Sequence, residues 1–196
     1  MSLTPQRQAR LSAAADQRTN YLRLIIQDIH NPHNVSACLR TAEAFGILNV
    51  DVVNLHEKFR VSSVARGVES WLNIRKWLSI EECVKDLKQH GYKLAAGFPA
   101  QNSLPLSEVP LSSPIAVIFG NEHDGVDEDW LPHIDYKFTI PMRGLVESLN
   151  ISVSCGISLY EFTRRAKLEV PSSTYLLSTL EKAQLLEKWA GVKGIK

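Results

Sequence analysis

The stretch that most restricts how this chain can fold runs from residue 140 to residue 161. It starts as the end of an apolar strand and crosses a loop with Pro141, Arg143 and Gly144. After Ser148 it continues as a helix of small and apolar residues. Ser148, Ser152, Ser154, Gly156 and Ser158 carry almost no side-chain bulk. Glycine inside a helix costs about 0.5–1 kcal/mol relative to alanine. A helix that accepts this is expected to lie against something that passes close by. The plain alternative is an ordinary helix buried under a sheet.

Apolar runs and helical periods alternate along the rest of the chain. Strands are expected at 21–27, 50–55, 71–77, 92–97, 115–119 and 136–140, and helices at 4–18, 35–45, 80–90, 148–167 and 176–190. Gly46 and Gly91 stop two of the helices. A helical turn is expected at 62–67, a loop at 98–113 and a hinge at 171–173. The run Ile115-Ala116-Val117-Ile118-Phe119 is apolar throughout, which suits a central strand buried on both faces. This order predicts an α/β fold with a mainly parallel sheet and flanking helices. A length of 196 residues suits one domain with short appendages.

Charge excludes little. Twenty-two basic residues face twenty-one acidic ones, so composition does not announce a nucleic-acid binder. Arg7, Arg10, Arg18 and Arg23 cluster near the start, either as a phosphate-facing arm or as a solvated helix face. Cys38, Cys83 and Cys155 are widely spaced among apolar or small residues, which reads as reduced, buried thiols. No metal site is expected, because His30 and His33 lack partners for a zinc pattern. With no apolar signal core near Met1 and no spanning apolar run, the expectation is a cytoplasmic protein away from the membrane.

Three loops stand at strand ends, where open α/β sheets bind ligands. The first leads into Asn34-Val35-Ser36-Ala37-Cys38-Leu39-Arg40-Thr41. Asn34 can cap the helix. Arg40 is a lone charge among apolar and small residues, with a pair to Glu43 as the structural alternative. The second is Gly120-Asn121-Glu122-His123-Asp124-Gly125, which has neither a dinucleotide fingerprint nor a phosphate-loop lysine. A simple glycine turn is the alternative there. The third is the 140–161 segment.

Together, in this order and spacing, the three loops resemble the motifs of the SpoU/TrmH family of SPOUT RNA 2′-O-ribose methyltransferases over about residues 20–166. The resemblance implies a deep C-terminal trefoil knot, a homodimer, and S-adenosylmethionine bound in the knot with the second subunit completing the site. It implies a methyltransferase domain at 21–167 between an N-terminal polar helix (1–20) and a C-terminal helical tail (168–196). Arg40 is implied as the catalytic residue, acting with the RNA phosphate on the ribose 2′-hydroxyl. Asn34, Glu122, Ser148 and Asn150 match the other polar motif positions, expected to orient Arg40, hold the loops and place the ribose. Ala96, Gly97, Gly120, Gly125, Ile140, Met142 and Leu149 are implied around the cofactor. Arg143 reads as a phosphate contact or a solvated loop residue, and His123 as loop surface rather than a base. Lys58, Arg60 and Arg66 could extend a basic path, while Trp71 and Trp77 read as core.

The arrangement resembles the tRNA guanosine-2′-O-methyltransferase branch, whose usual target is a D-loop guanosine. The short, nearly charge-balanced tail departs from the longer basic extensions of tRNA-specific members. Ribosomal RNA as substrate and a catalytically silent RNA-binding homologue are the alternatives.

Overall fold

The computed structural model describes residues 4–55, 67–98 and 102–192. The helical turn expected at 62–67, apart from Gly67, lies outside them, as do Lys58, Arg60 and Arg66. Chain order is α1 (Pro5–Ala15), β1 (Thr19–Gln27), α2 (Pro32–Ala44), β2 (Ile47–Val53), β3 (Asn73–Trp77), α3 (Ile80–Gln89), β4 (Lys93–Gly97), β5 (Leu104–Pro105), β6 (Ile115–Phe119), β7 (Tyr136–Thr139), α4 (Ile151–Glu169), α5 (Ser172–Tyr175) and α6 (Thr179–Ala190). Short 3-10 turns at Val68–Trp71, Leu106–Glu108 and Glu128–His133 lie between them among the described residues.

The strands form one seven-stranded sheet in the order β3-β2-β1-β6-β4-β7-β5, and every neighbouring pair is parallel. β6, the fully apolar run, is the middle strand, and all five of its residues are buried. Side chains alternate across a strand, so β1 feeds two cores. Leu22, Leu24 and Ile26 join Cys38, Leu39, Leu159 and Phe162 on the α2 and α4 side. Ile25 joins Cys83, Val84 and Leu87 of α3 with Ile118 and Trp130 on the other. The expected fold class is the observed one. Part of the expected 98–113 loop is the edge strand β5, and further along the same segment Arg165 of α4 donates to the carbonyl of Val109 at 2.9 Å.

Local chemistry sets the helix ends. Asn31 caps α2: its Oδ1 accepts from His33 N–H at 2.9 Å, with Pro32 as the first helical residue. The cap is therefore Asn31, three residues before the expected Asn34, and the Asn34 side chain is released for another partner. Gly46 ends α2 at φ +79, where a Cβ would lie 2.4 Å from the Gln17 carbonyl oxygen. The last long helices begin later than their apolar pattern suggests. α4 is capped by Asn150, and α6 by a reciprocal Ser178–Glu181 box.

The N-terminal arginines are not an open arm. Arg18 is buried and bridges Glu43 at 2.6 Å, while Arg23 is buried against Asp51 at 3.2 Å. A third core sits between α1 and α6, with Leu11 and Ala15 against Leu185 and Trp189. Trp71 meets Trp189 edge-on there, ring centroids 5.6 Å apart, and Trp77 lies against the α3 core, both half-buried. Arg7 donates to the Val192 carbonyl, and Lys182 pairs with Asp16. Cys38, Cys83 and Cys155 are free and buried. Among the described residues no helix is long and apolar enough to cross a membrane, and no group of three His, Cys, Asp or Glu could hold a metal.

Candidate active site

Strand order decides which loops meet. β1, β2 and β3 step outward to one side of β6, whereas β4, β7 and β5 lie on its other side. The sequence of the sheet therefore reverses between β1 and β6, and the loops leaving these neighbouring strands share one crevice. Ligands of open α/β sheets bind at such a switch point.

Glu122, in the loop after β6, fills this position. Its carboxylate accepts from His30 N–H at 3.1 Å and Asn31 N–H at 3.3 Å, both in the loop after β1. It also accepts from Asn34 Nδ2 at 2.8 Å. Asn34 Oδ1 in turn accepts from Asn150 Nδ2 at 3.3 Å. Asn150 closes the chain as the α4 cap, its Oδ1 accepting from Ser152 N–H at 2.9 Å. Three segments far apart in sequence are thus tied through Glu122, Asn34 and Asn150. Partial burial pushes the Glu122 carboxyl upward, but hydrogen bonds from Asn34 and from backbone N–H groups outweigh it and hold the group below its ordinary range.

The other expected residues are placed differently. Arg40 lies six residues beyond Asn34, about 240° around the helix and about 9 Å along it. It is exposed, and it makes no hydrogen bond or ion pair among the described residues. The expected alternative pair with Glu43 does not form, because Glu43 is held by Arg18. Ser148 is exposed and outside the hydrogen-bond chain; the loop from Pro141 to Ser148 is exposed throughout. The single chain therefore gathers Asn34, Glu122 and Asn150, and leaves Arg40 and Ser148 apart from them.

The residues expected around a cofactor lie at the carboxyl ends of three consecutive strands, β6, β4 and β7. Gly97 is exposed at the end of β4, whereas Ala96 is buried in the α3-side core. Ile140 and Leu149 are half-buried, and Met142 is exposed. Gly120 has an internal reason to be glycine. Asn121 and Gly125 pair across the turn, N–H to O at 2.9 Å, and a Cβ on Gly120 would stand 1.7 Å from the Gly125 oxygen. Gly125 itself sits at φ +75. Gly156 was expected under a close neighbour, but its added Cβ meets nothing within 4 Å in the single chain. Two features were missed in the sequence: the backbone donors of His30 and Asn31, and a ring contact between His30 and His123. The Asn31-Pro32 pair, a common way to open a helix, was the available signal for the first.

The sequence profile of the SpoU rRNA methylase family matches residues 21–160, which include every residue of this crevice. The chain belongs to the SpoU rRNA methylase family. Among its relatives is the tRNA (guanosine(18)-2′-O)-methyltransferase of Borreliella burgdorferi, 32% identical over 95% of this chain and 85% of that protein. The TrmH/SpoU tRNA modifying enzyme of A. aeolicus superposes with a TM-score of 0.86 at 30% identity, covering 97% of this chain and 98% of that one. The SpoU methyltransferase AviRb of Streptomyces viridochromogenes, solved with AdoMet, shares the fold with a TM-score of 0.69 at 21% identity, over 80% of this chain and 64% of that one. Family membership spans the sheet and α2, together with the first half of α4.

Proposed function

We propose that this chain is an S-adenosylmethionine-dependent RNA 2′-O-ribose methyltransferase acting on a guanosine of tRNA, in the cytoplasm. The observation that carries the reading is the Glu122–Asn34–Asn150 chain, which ties all three motif segments at the switch point of the sheet. The match to a tRNA guanosine-2′-O-methyltransferase over nearly the whole chain favours tRNA. The family's description as an rRNA methylase keeps ribosomal RNA as the second substrate class.

The donor residues fit a sulfonium nucleoside. Gly97 offers exposed backbone, Gly144 has open space where a side chain would be, and Met142 presents exposed apolar surface, all beyond the carboxyl ends of neighbouring strands. Gly97, Ile140, Met142 and Leu149 would hold the cofactor through backbone hydrogen bonds and apolar contact, with Gly120 and Gly125 shaping the loop beside them. When bound, S-adenosylmethionine supplies an electrophilic methyl group. Arg40 keeps its charge at any physiological pH and presents a fork of donors to phosphate. Its part is to hold the RNA phosphate and stabilise the negative charge developing on the ribose oxygen. That phosphate helps to take up or stabilise the hydroxyl proton. Glu122, Asn34 and Asn150 fix the loops so that ribose and methyl donor meet in line, and Ser148 lies in the loop that borders them.

A homodimer belongs to the same reading. On α4, Val153, Ile157 and Tyr160 are exposed at helical spacing, with the open Gly156 among them and exposed Leu145 and Val146 just before. Such a stripe suits a second copy. Arg40, standing apart from the Glu122 chain, suits a site that the second copy completes. The knotted C-terminal path goes with this reading. A catalytically silent RNA-binding protein is the competing one.

The test is methyl transfer from labelled S-adenosylmethionine to unmodified tRNA and ribosomal RNA, with Arg40→Ala alongside. Label on a tRNA ribose that disappears in the variant supports the reading. Label on ribosomal RNA alone changes the substrate, and full activity of Arg40→Ala overturns the role given to Arg40. Failure to bind S-adenosylmethionine overturns the enzyme reading.

A further inference from the structure

Two exposed imidazoles meet above the crevice. His30 leaves the end of β1 and His123 sits in the loop after β6, ninety-odd residues along the chain, yet their ring centroids are 5.7 Å apart with planes tilted by 49°. Backbone hydrogen bonds anchor the loops that carry them. Glu122 accepts the backbone N–H of His30, and Asn121 Oδ1 accepts those of His123 at 2.8 Å and Asp124 at 2.7 Å. The backbone at both positions is thus anchored to one rigid hydrogen-bonded unit, while the rings face solvent. A tilted pair of exposed rings on fixed backbone offers two aromatic faces, either of which a base can pack against, at low entropic expense.

We propose that His30 and His123 form a stacking platform for an RNA base flanking the reacting ribose, a proposal that rests on the RNA methyltransferase reading. Presenting a 2′-hydroxyl from a folded RNA pulls its nucleotide out of the base stack, and the neighbouring base loses a stacking partner. An aromatic surface beside the crevice replaces that partner. The charges nearby decide between base and phosphate. Glu122 adjoins His123 in sequence and accepts from the His30 N–H, and Asp124 stands next to His123. Two carboxylates repel a phosphate at this point but leave a neutral base unaffected. The phosphate contact belongs to Arg40, and the base contact to the imidazoles.

The experiment measures steady-state methylation of an unmodified tRNA transcript by wild type, His30→Ala, His123→Ala and the corresponding Phe variants, with RNA binding followed in parallel by fluorescence anisotropy. Each Ala variant raises the KM and Kd for RNA about tenfold. In both Ala variants kcat, affinity for S-adenosylmethionine and Tm stay at wild-type values. Phe at either position restores the RNA values, because it keeps the ring and removes the polar atoms. Unchanged RNA affinity in both Ala variants overturns the platform. So does a loss that Phe does not rescue, or a loss that tracks a fall in Tm. A wild-type protein that binds RNA without methylating it would sink the enzyme reading alone, since anisotropy still reports on the rings.

Discussion

Asparagines gather at both edges of the sheet, and the two gatherings do different work. At the amino edge Asn49 Nδ2 donates to Asn20 at 2.7 Å and Asn73 Nδ2 donates to Asn49 at 3.2 Å. α6 closes both ends of this ladder. Asn20 donates to Glu181 at 2.7 Å, and Lys188 donates to Asn73 at 2.6 Å. A groove of about 580 Å³ opens here, yet the amides that line it already bond to one another. At the carboxyl edge Asn150 bonds Asn34 and Asn34 bonds the Glu122 carboxylate, with two exposed imidazoles beside that network and an exposed Arg40 further along α2. A closed ladder fastens a helix to a sheet. An open network holds loops in place and leaves charge and aromatic surface for a ligand. Residue type is shared; what separates structure from function is where each network ends.

The contrast can be broken by substitution at either edge. The largest effect is expected from Arg40→Ala, with turnover falling about 10²–10³-fold and thermal unfolding unchanged; single-turnover methylation and a melting curve decide it. Next is Asp51→Ala, inside β2 and away from the crevice. Asp51 is fully buried and accepts from Arg23, Arg75 and Trp77, so its removal strands a buried guanidinium. Urea unfolding should show a loss of about 3–5 kcal/mol, with turnover per folded molecule retained. Gly120→Ala, which drives a Cβ into the Gly125 carbonyl, should cost about 1–3 kcal/mol and also lower turnover, because the strained loop carries Glu122.

Glu122→Gln sharpens the comparison through pH. The folded carboxyl titrates below its unfolded value, so its contribution to stability is present above the unfolded pKa and is lost as pH falls through the folded one. Wild type should be the more stable at neutral pH, and the gap should close on acidification below the ordinary glutamate range. A gap constant across that range would mean that the carboxylate is not what ties the loops. The smallest effect belongs to Asn49→Ala, about 1 kcal/mol from the ladder with turnover unchanged. A loss of turnover there, without a matching loss of folded protein, would erase the distinction between the edges.

Much of this was legible in the chain itself. An all-apolar pentapeptide, 115–119, announces a strand buried on both faces, and it is the middle one. The alternation of strands and helices is enough for the fold class. What could not be read depends on distant partners. Arg40 and Glu43 are well spaced to pair on α2, but Arg18, 25 residues before Glu43, takes that carboxylate. Arg18 and Arg23 look like an exposed basic arm until β1 and its neighbours bury them. Asn31 and Asn34 are both competent caps, and only the position of Glu122 assigns one to the helix and the other to the crevice. The small residues of α4 signal close approach, but Gly156 finds nothing within 4 Å in a single chain.

The union of α1 with α6 has a consequence for synthesis. Arg7 and Val192, which bond to each other, are 185 residues apart, and Leu11 is covered by Leu185 and Trp189. A ribosome therefore releases the first helix long before its cover exists. Until the final turns emerge, the apolar side of α1 stays uncovered and the ladder at the foot of the sheet lacks its Glu181 and Lys188 ends. The union of α1 with α6 is thus a late step of folding, and a nascent chain stalled short of α6 keeps an apolar helix face open to aggregation and to chaperones.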